Sequence, residues 1–193
     1  MKKTILISLI TILLFVQCEK ESNRFLIQKG AIGNLTKSTP IKQIDSIFAQ
    51  DSIVWLNPID NSLGIQGEIE IFEKGGKKLL LLSPENENDS NSVITNIQVF
   101  DDRYKTEQGF NSGSTFKDLK ENYKITAIDN AINSVVIYLE DSEIFITIDK
   151  KQLPENVRYN YTTKIESTQI PLEATFKYFM IAWDVDDEIT DEN

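Results

Sequence analysis

The chain has 193 residues, 30 acidic and 20 basic side chains, no histidine and one cysteine, giving a formal net charge of −10. That balance excludes a nucleic-acid partner, which requires clustered Lys and Arg to release phosphate counterions. The lack of histidine removes the commonest general base and metal ligand, and with it every Ser-His-Asp or Cys-His arrangement.

Met1-Lys2-Lys3 precedes an apolar run from Ile5 to Val16 broken only by Ser8 and Thr11, the pattern of an export signal. The run falls short of the roughly 20 residues a spanning helix needs. The stretch Leu14-Phe15-Val16-Gln17-Cys18 resembles a lipobox, with Gln17 where a small residue is usual and Phe15 and Val16 as in the relaxed boxes of Bacteroidota lipoproteins. The resemblance implies cleavage before Cys18 and lipidation of its sulfur; the other reading is a plain signal peptide with an unused thiol. Exported proteins normally pair their cysteines, and Cys18 has no second cysteine to pair with. A diacylglycerol plus an acyl chain exceeds the two signals that stable anchoring takes. Glu19-Lys20-Glu21 resembles an acidic tag for the outer leaflet, although a solvated tether has the same composition. The expected organisation is a signal peptide at 1–17, a polar tether at 18–24, one α+β domain at 25–183 and an acidic tail at 184–193. Loss of Lys2 and Lys3 takes the mature charge to about −12, so the anchor rather than the protein surface would hold the chain to the membrane.

Phe25-Leu26-Ile27 reads as an edge strand, and Gly30 and Gly33 as turns. Thr39 precedes Pro40 and the spacing Ile41, Ile44, Ile47, Phe48, which predicts a capped amphipathic helix. Ser52 to Leu56, Gly67 to Phe72 and Lys78 to Leu82 are β-rich, the last two joined across Gly75-Gly76. Leu79-Leu80-Leu81-Leu82 reads as a central strand covered on both faces. Val93 to Phe100 alternates with period two. Ser114 or Thr115 caps a second helix with Phe116, Leu119 and Tyr123 on one side. Ser134 to Glu140 and Glu143 to Asp149 form a hairpin across Asp141-Ser142; Lys150 to Thr168 gives no clear pattern; Phe176 to Trp183 is the last strand. The fold class is therefore α+β, an antiparallel sheet of six to eight strands with two short helices packed on one face. A shift of 75 residues superposes Thr39, Ile41, Lys42, Ile44 and Phe48 on Ser114, Phe116, Lys117, Leu119 and Tyr123. Either a degenerate duplicated helix-strand unit or two ordinary capped helices produces that match.

Gln108-Gly109-Phe110-Asn111-Ser112-Gly113-Ser114-Thr115-Phe116-Lys117-Asp118-Leu119 resembles the glycine, small residue, threonine, short-helix element of the outer-membrane-assembly lipoproteins and of the β-lactamase-inhibitor-protein fold. The layout from Phe25 to Trp183, including Arg103-Tyr104 and Thr106-Glu107, is similar to uncharacterised small lipoproteins of Bacteroidota. The resemblance implies a helix-on-sheet fold and a binding role, and it brings no catalytic residues.

Asp101, Asp102, Arg103 and Tyr104 stand out as candidate partner contacts in the densest polar stretch between a strand and a helix. Buried together, the two carboxylates would instead suit acid/base work, and as a surface turn they would merely neutralise Arg103. Ser46 and Ser52, each in an Asp-Ser-Ile triplet, resemble O-glycosylation acceptors of exported Bacteroidota proteins. Trp55, Tyr104, Tyr159, Tyr161, Tyr178 and Trp183 are candidates for a glycan-stacking platform or for half-buried sheet positions. The tail carries Asp184, Asp186 and Glu188 at alternate positions, but Ile189 stands where an EF-hand needs glycine, and no metal or cofactor is expected. The functional expectation is a non-enzymatic, lipid-anchored envelope protein binding a protein or glycan. The alternatives are an acidic inhibitor or immunity-like protein against a cationic partner, and a carboxylate hydrolase.

Overall fold

A computed structural model describes residues 24–56, 67–159 and 164–183. The stretch expected to be a signal peptide, Cys18, nearly all of the expected tether, Tyr161 and the acidic stretch at 184–193 lie outside the described residues.

The chain opens with three short strands, β1 (Leu26–Gln28), β2 (Ala31–Ile32) and β3 (Leu35–Thr36). Gly33 turns between the last two at φ +57°, where a side chain would run into the Arg24 carbonyl. A 3-10 turn at Ile41–Gln43 runs into α1 (Ile44–Ile47). Four strands follow: β4 (Ser52–Leu56), β5 (Glu68–Phe72), β6 (Lys78–Pro84) and β7 (Ile94–Val99). The second half repeats this order. It has β8 (Lys105–Thr106), α2 (Phe116–Asn122), then β9 (Ile125–Asn130), β10 (Ser134–Leu139) and β11 (Ile144–Asp149). A short α3 (Glu155–Arg158) precedes β12 (Tyr178–Ala182).

Eight strands form one antiparallel sheet in the order β4-β5-β6-β7-β12-β11-β10-β9, and β3-β2-β1-β8 form a second, smaller sheet in which β1 and β8 run parallel. The fold is α+β, as the sequence predicts. The large sheet is palindromic: each half is a helix followed by a four-strand antiparallel run, and the halves meet where β7 pairs with β12.

Strand alternation sends one row of eight residues inward across the whole sheet: Ile53, Ile71, Leu80, Val99, Phe179, Ile146, Ile137 and Ile128. Every member is apolar, and the six central ones are fully buried. Ile41, Ile44 and Phe48 from the first helical segment, Phe116 and Leu119 from α2, and Ile27, Ile32 and Leu35 from the small sheet join the same core. Helices and small sheet thus form one layer on one side of the large sheet, the arrangement that buries an apolar sheet face.

Several expectations are corrected. The strand at Phe25 is not an edge: β1 lies inside the small sheet, between β2 and β8. Thr39 does not cap α1; its hydroxyl accepts the Thr36 N–H at 3.0 Å. Leu79–Leu82 is central but not covered throughout: Leu79, Leu80 and Leu82 are buried, whereas Leu81 points outward and is half-buried. Strand β9 follows α2 directly, where no strand was predicted. The unpatterned stretch after Asp149 holds two 3-10 turns and α3. The cap of α2 is as expected: Thr115 accepts from the Asp118 N–H while Asp118 accepts from the Thr115 N–H, satisfying two end donors reciprocally.

Candidate functional site

The Asp101–Tyr104 segment is a turn directly after β7, and its side chains point into the protein more than out of it. Asp101 has no exposed surface. Its carboxylate accepts from Arg103 Nε at 3.0 Å and Nη2 at 2.7 Å, from the Arg103 backbone N–H at 2.9 Å, and pairs with Lys77 Nζ at 3.0 Å. These donors, the Arg103 guanidinium foremost, hold the Asp101 carboxyl well below the usual carboxylate range against the opposing effect of burial. Arg103 also reaches Glu73 at 2.8 Å, which lowers the Glu73 carboxyl in turn.

The guanidinium of Arg103 lies 4.6 Å from the Phe25 ring centre, and Arg24 lies 4.8 Å from the same ring. Phe25 meets Tyr104 edge-on at 5.0 Å. Arg24 in turn forms a two-pronged pair with Asp51, at 2.9 and 3.0 Å. One network therefore links Asp51, Arg24, Phe25, Arg103, Asp101 and Lys77, fixing the first described residues to the body of the fold. Tyr104 is buried within it, and burial pushes its phenol up to about 12.

This corrects the expectation of a four-residue contact surface. Asp101 and Tyr104 are buried, Arg103 is committed to two carboxylates, and of the four only Asp102 is exposed. The paired-carboxylate arrangement is also absent here, because Asp102 faces solvent while Asp101 faces Arg103.

Ser46 and Ser52 are both exposed, the steric requirement for modification; the Ser46 hydroxyl donates to the Gln43 carbonyl at 2.8 Å. The aromatic residues do not form one platform. Tyr104 and Trp183 are buried, Trp55 sits on edge strand β4, and Tyr178 lies on β12 pointing to the opposite side of the sheet. Trp183 instead donates its Nε1 to Glu143 at 3.0 Å, and Glu143 also accepts the Gly30 N–H at 2.7 Å. Glu143 thereby pins the small sheet to the β10–β11 turn beside a cavity of about 310 Å³. No group of three or more His, Cys, Asp or Glu among the described residues is placed to hold a metal ion.

The outward face of the large sheet is the feature that residue-by-residue reading missed. Its central row runs Val54, Glu70, Leu81, Gln98, Met180, Phe145, Tyr138 and Ala127, one residue per strand across all eight strands. None of the eight is buried, and Tyr138 stacks on Phe145 with ring centres 5.9 Å apart. Tyr178, Phe100 and Leu56 add further exposed apolar surface. Lys78 pairs with Glu70 at 2.6 Å and lies 4.4 Å from the Phe100 ring centre. The period-two patterns of the strands carried this signal, since Leu81 on β6, Val136 and Tyr138 on β10, Phe145 on β11 and Tyr178 and Met180 on β12 are apolar at outward positions.

No family model matches the chain, and no curated protein matches it. Among solved structures it is similar to the uncharacterized protein yfeY from Escherichia coli, with 16% identity over 78% of this chain and 95% of that one, at a TM-score of 0.49.

Proposed function

We propose that this chain is an exported lipoprotein, anchored through Cys18, whose domain binds a protein partner across the outward face of its eight-stranded sheet. The observation that carries the reading is the uncovered row from Val54 to Ala127, which offers aliphatic, aromatic and amide groups on a rigid sheet. Contiguous apolar surface of this kind marks interaction sites on soluble domains. The net charge of −10 favours a partner with a basic rim, since complementary charge speeds encounter and rejects like-charged competitors. An inhibitor or immunity-like role is one form this takes. The carboxylate-hydrolase alternative draws no support from Asp101, which is ionised, buried and fully paired.

Two measurements test the reading. A photo-crosslinker in place of Tyr138 in producing cells should give one discrete protein adduct, and Met180→Asp, at the centre of the row, should abolish it without unfolding the domain. A crosslinker in place of Lys120 on α2, on the other layer, should give none. Cys18→Ser should release the protein from the membrane fraction. An adduct unaffected by Met180→Asp would refute the interface, and a Cys18→Ser protein that still sediments with membranes would refute the anchor.

A further inference from the structure

At one end of the large sheet, where β11 ends and β12 begins, lies a cavity of about 650 Å³ walled by Lys150, Lys151, Arg158 and Lys177. Among the described residues only one carboxylate lines it, that of Asp149, and one of its oxygens is occupied by the Lys151 backbone N–H at 2.8 Å. On a chain with net charge −10, Lys151, Arg158 and Lys177 against one partly engaged acid make a local excess of the opposite sign. Lys151, Arg158 and Lys177 form no ion pair with any described residue.

The arginine is fixed in place. Its Nη2 donates to the carbonyls of Lys151 at 2.8 Å and Leu153 at 3.1 Å, holding the guanidinium plane at the cavity wall. Its Nε is buried and has no hydrogen-bond partner among the described residues. The guanidinium keeps its positive charge at that wall, beside Lys151. Lys177 lines the same cavity, its Nζ 5.3 Å from the Tyr178 ring centre, and Tyr159, also in the lining, has 62% of its surface exposed.

The geometry points to a binding site for a phosphate monoester: Arg158, Lys151 and Lys177 take the phosphate and the Tyr159 ring covers its organic body. The fixed guanidinium and the flexible lysines together supply positive charge around the phosphate. The cavity has the size of a small-molecule site and exceeds what a bare inorganic anion fills. The organic body belongs to a soluble metabolite or to a phospholipid head group, and the probes below separate the two. The site uses none of the eight residues of the outward row, so its failure would leave the docking row untouched, and the reverse holds.

Calorimetric titration of the full-length anchored protein in detergent with phenyl phosphate should give saturable binding at one site, competed by inorganic phosphate and absent with phenol. Lys151→Glu/Lys177→Glu should weaken it by about tenfold or more, as loss of charge-assisted bonds requires, while Lys120→Glu on α2 should not. Tighter binding of dihexanoyl phosphatidic acid than of phenyl phosphate would assign the head-group source; the reverse order would assign a soluble ligand. Amide shifts of Lys151 and Tyr159 on adding phenyl phosphate to the unmutated protein test the location without any variant. The proposal is overturned by no saturable binding, by equal losses in the two charge-reversal variants, or by shifts confined to residues elsewhere.

Discussion

Replacing Asp101 with asparagine probes the ion network that ties the start of the domain to its body. The substitution removes the charge opposite Arg103 and Lys77 but keeps an oxygen to accept the Arg103 backbone N–H. Removing one partner of a buried ion pair costs about 3–5 kcal/mol when the remaining charge is stranded. Arg103 is not stranded: its side chain is 39% exposed and it retains Glu73, so a loss of about 2 kcal/mol follows. For a domain of this size that lowers the melting temperature by about 4–8 °C. Because the folded state depresses the Asp101 pKa, the wild-type carboxylate contributes fully above the unfolded value of about 3.9 and loses its contribution as pH falls below it. Urea unfolding followed by circular dichroism should therefore show a gap between wild type and Asp101→Asn that is full at neutral pH and narrows towards about pH 2.5. A gap below about 0.5 kcal/mol at neutral pH, or one that does not change on acidification, would refute the assignment.

Other perturbations follow from the same geometry. Phe110, buried against Tyr123, Phe176 and Phe179, should cost about 3–5 kcal/mol on change to alanine in the same urea assay. Gly33→Ala, at positive φ with the Arg24 carbonyl in the way, should cost about 2 kcal/mol or more, and Gly30→Ala, at φ +72° with only ordinary contact to the Lys37 side chain at 3.8 Å, about 1 kcal/mol; equal midpoint shifts would refute the steric argument. Ultraviolet titration should show a phenol ionising near 12, absent in Tyr104→Phe, and the stability that depends on its neutral form should be complete below about pH 10 and lost progressively as pH rises from there through about 12.

The sequence made the α2 region legible because its determinants are local: Thr115 and Asp118 cap each other across one turn, and Phe116 and Leu119 fall on one side. The hairpins at Gly75-Gly76 and Asp141-Ser142 were equally readable from turn residues, and the structure places positive φ at both glycines and at Asp141. Strand β9 escaped notice because it is an edge with only Ile125 and Ile128 turned towards the core, too weak an alternation to register. The small sheet escaped because its strands are two or three residues long and one pairing joins Ile27 to Thr106, far apart in sequence. The candidate site was misread for the same reason. Asp101 and Arg103 were visible as neighbours, but Glu73 and Lys77, which together with burial turn them inward, belong to the β5–β6 hairpin. The cation-lined cavity likewise assembles Lys177 with Lys150 and Arg158 only through the β11–β12 pairing.

The seam between β7 and β12 gives the polypeptide a timing property. Phe179, Met180, Ile181 and Ala182 close onto Val99, Gln98, Ile97 and Asn96, so the sheet stays split into two open-edged halves until nearly the whole polypeptide is available. Contacts so distant along the chain slow folding. The last strand therefore acts as the latch that joins the two halves into one sheet.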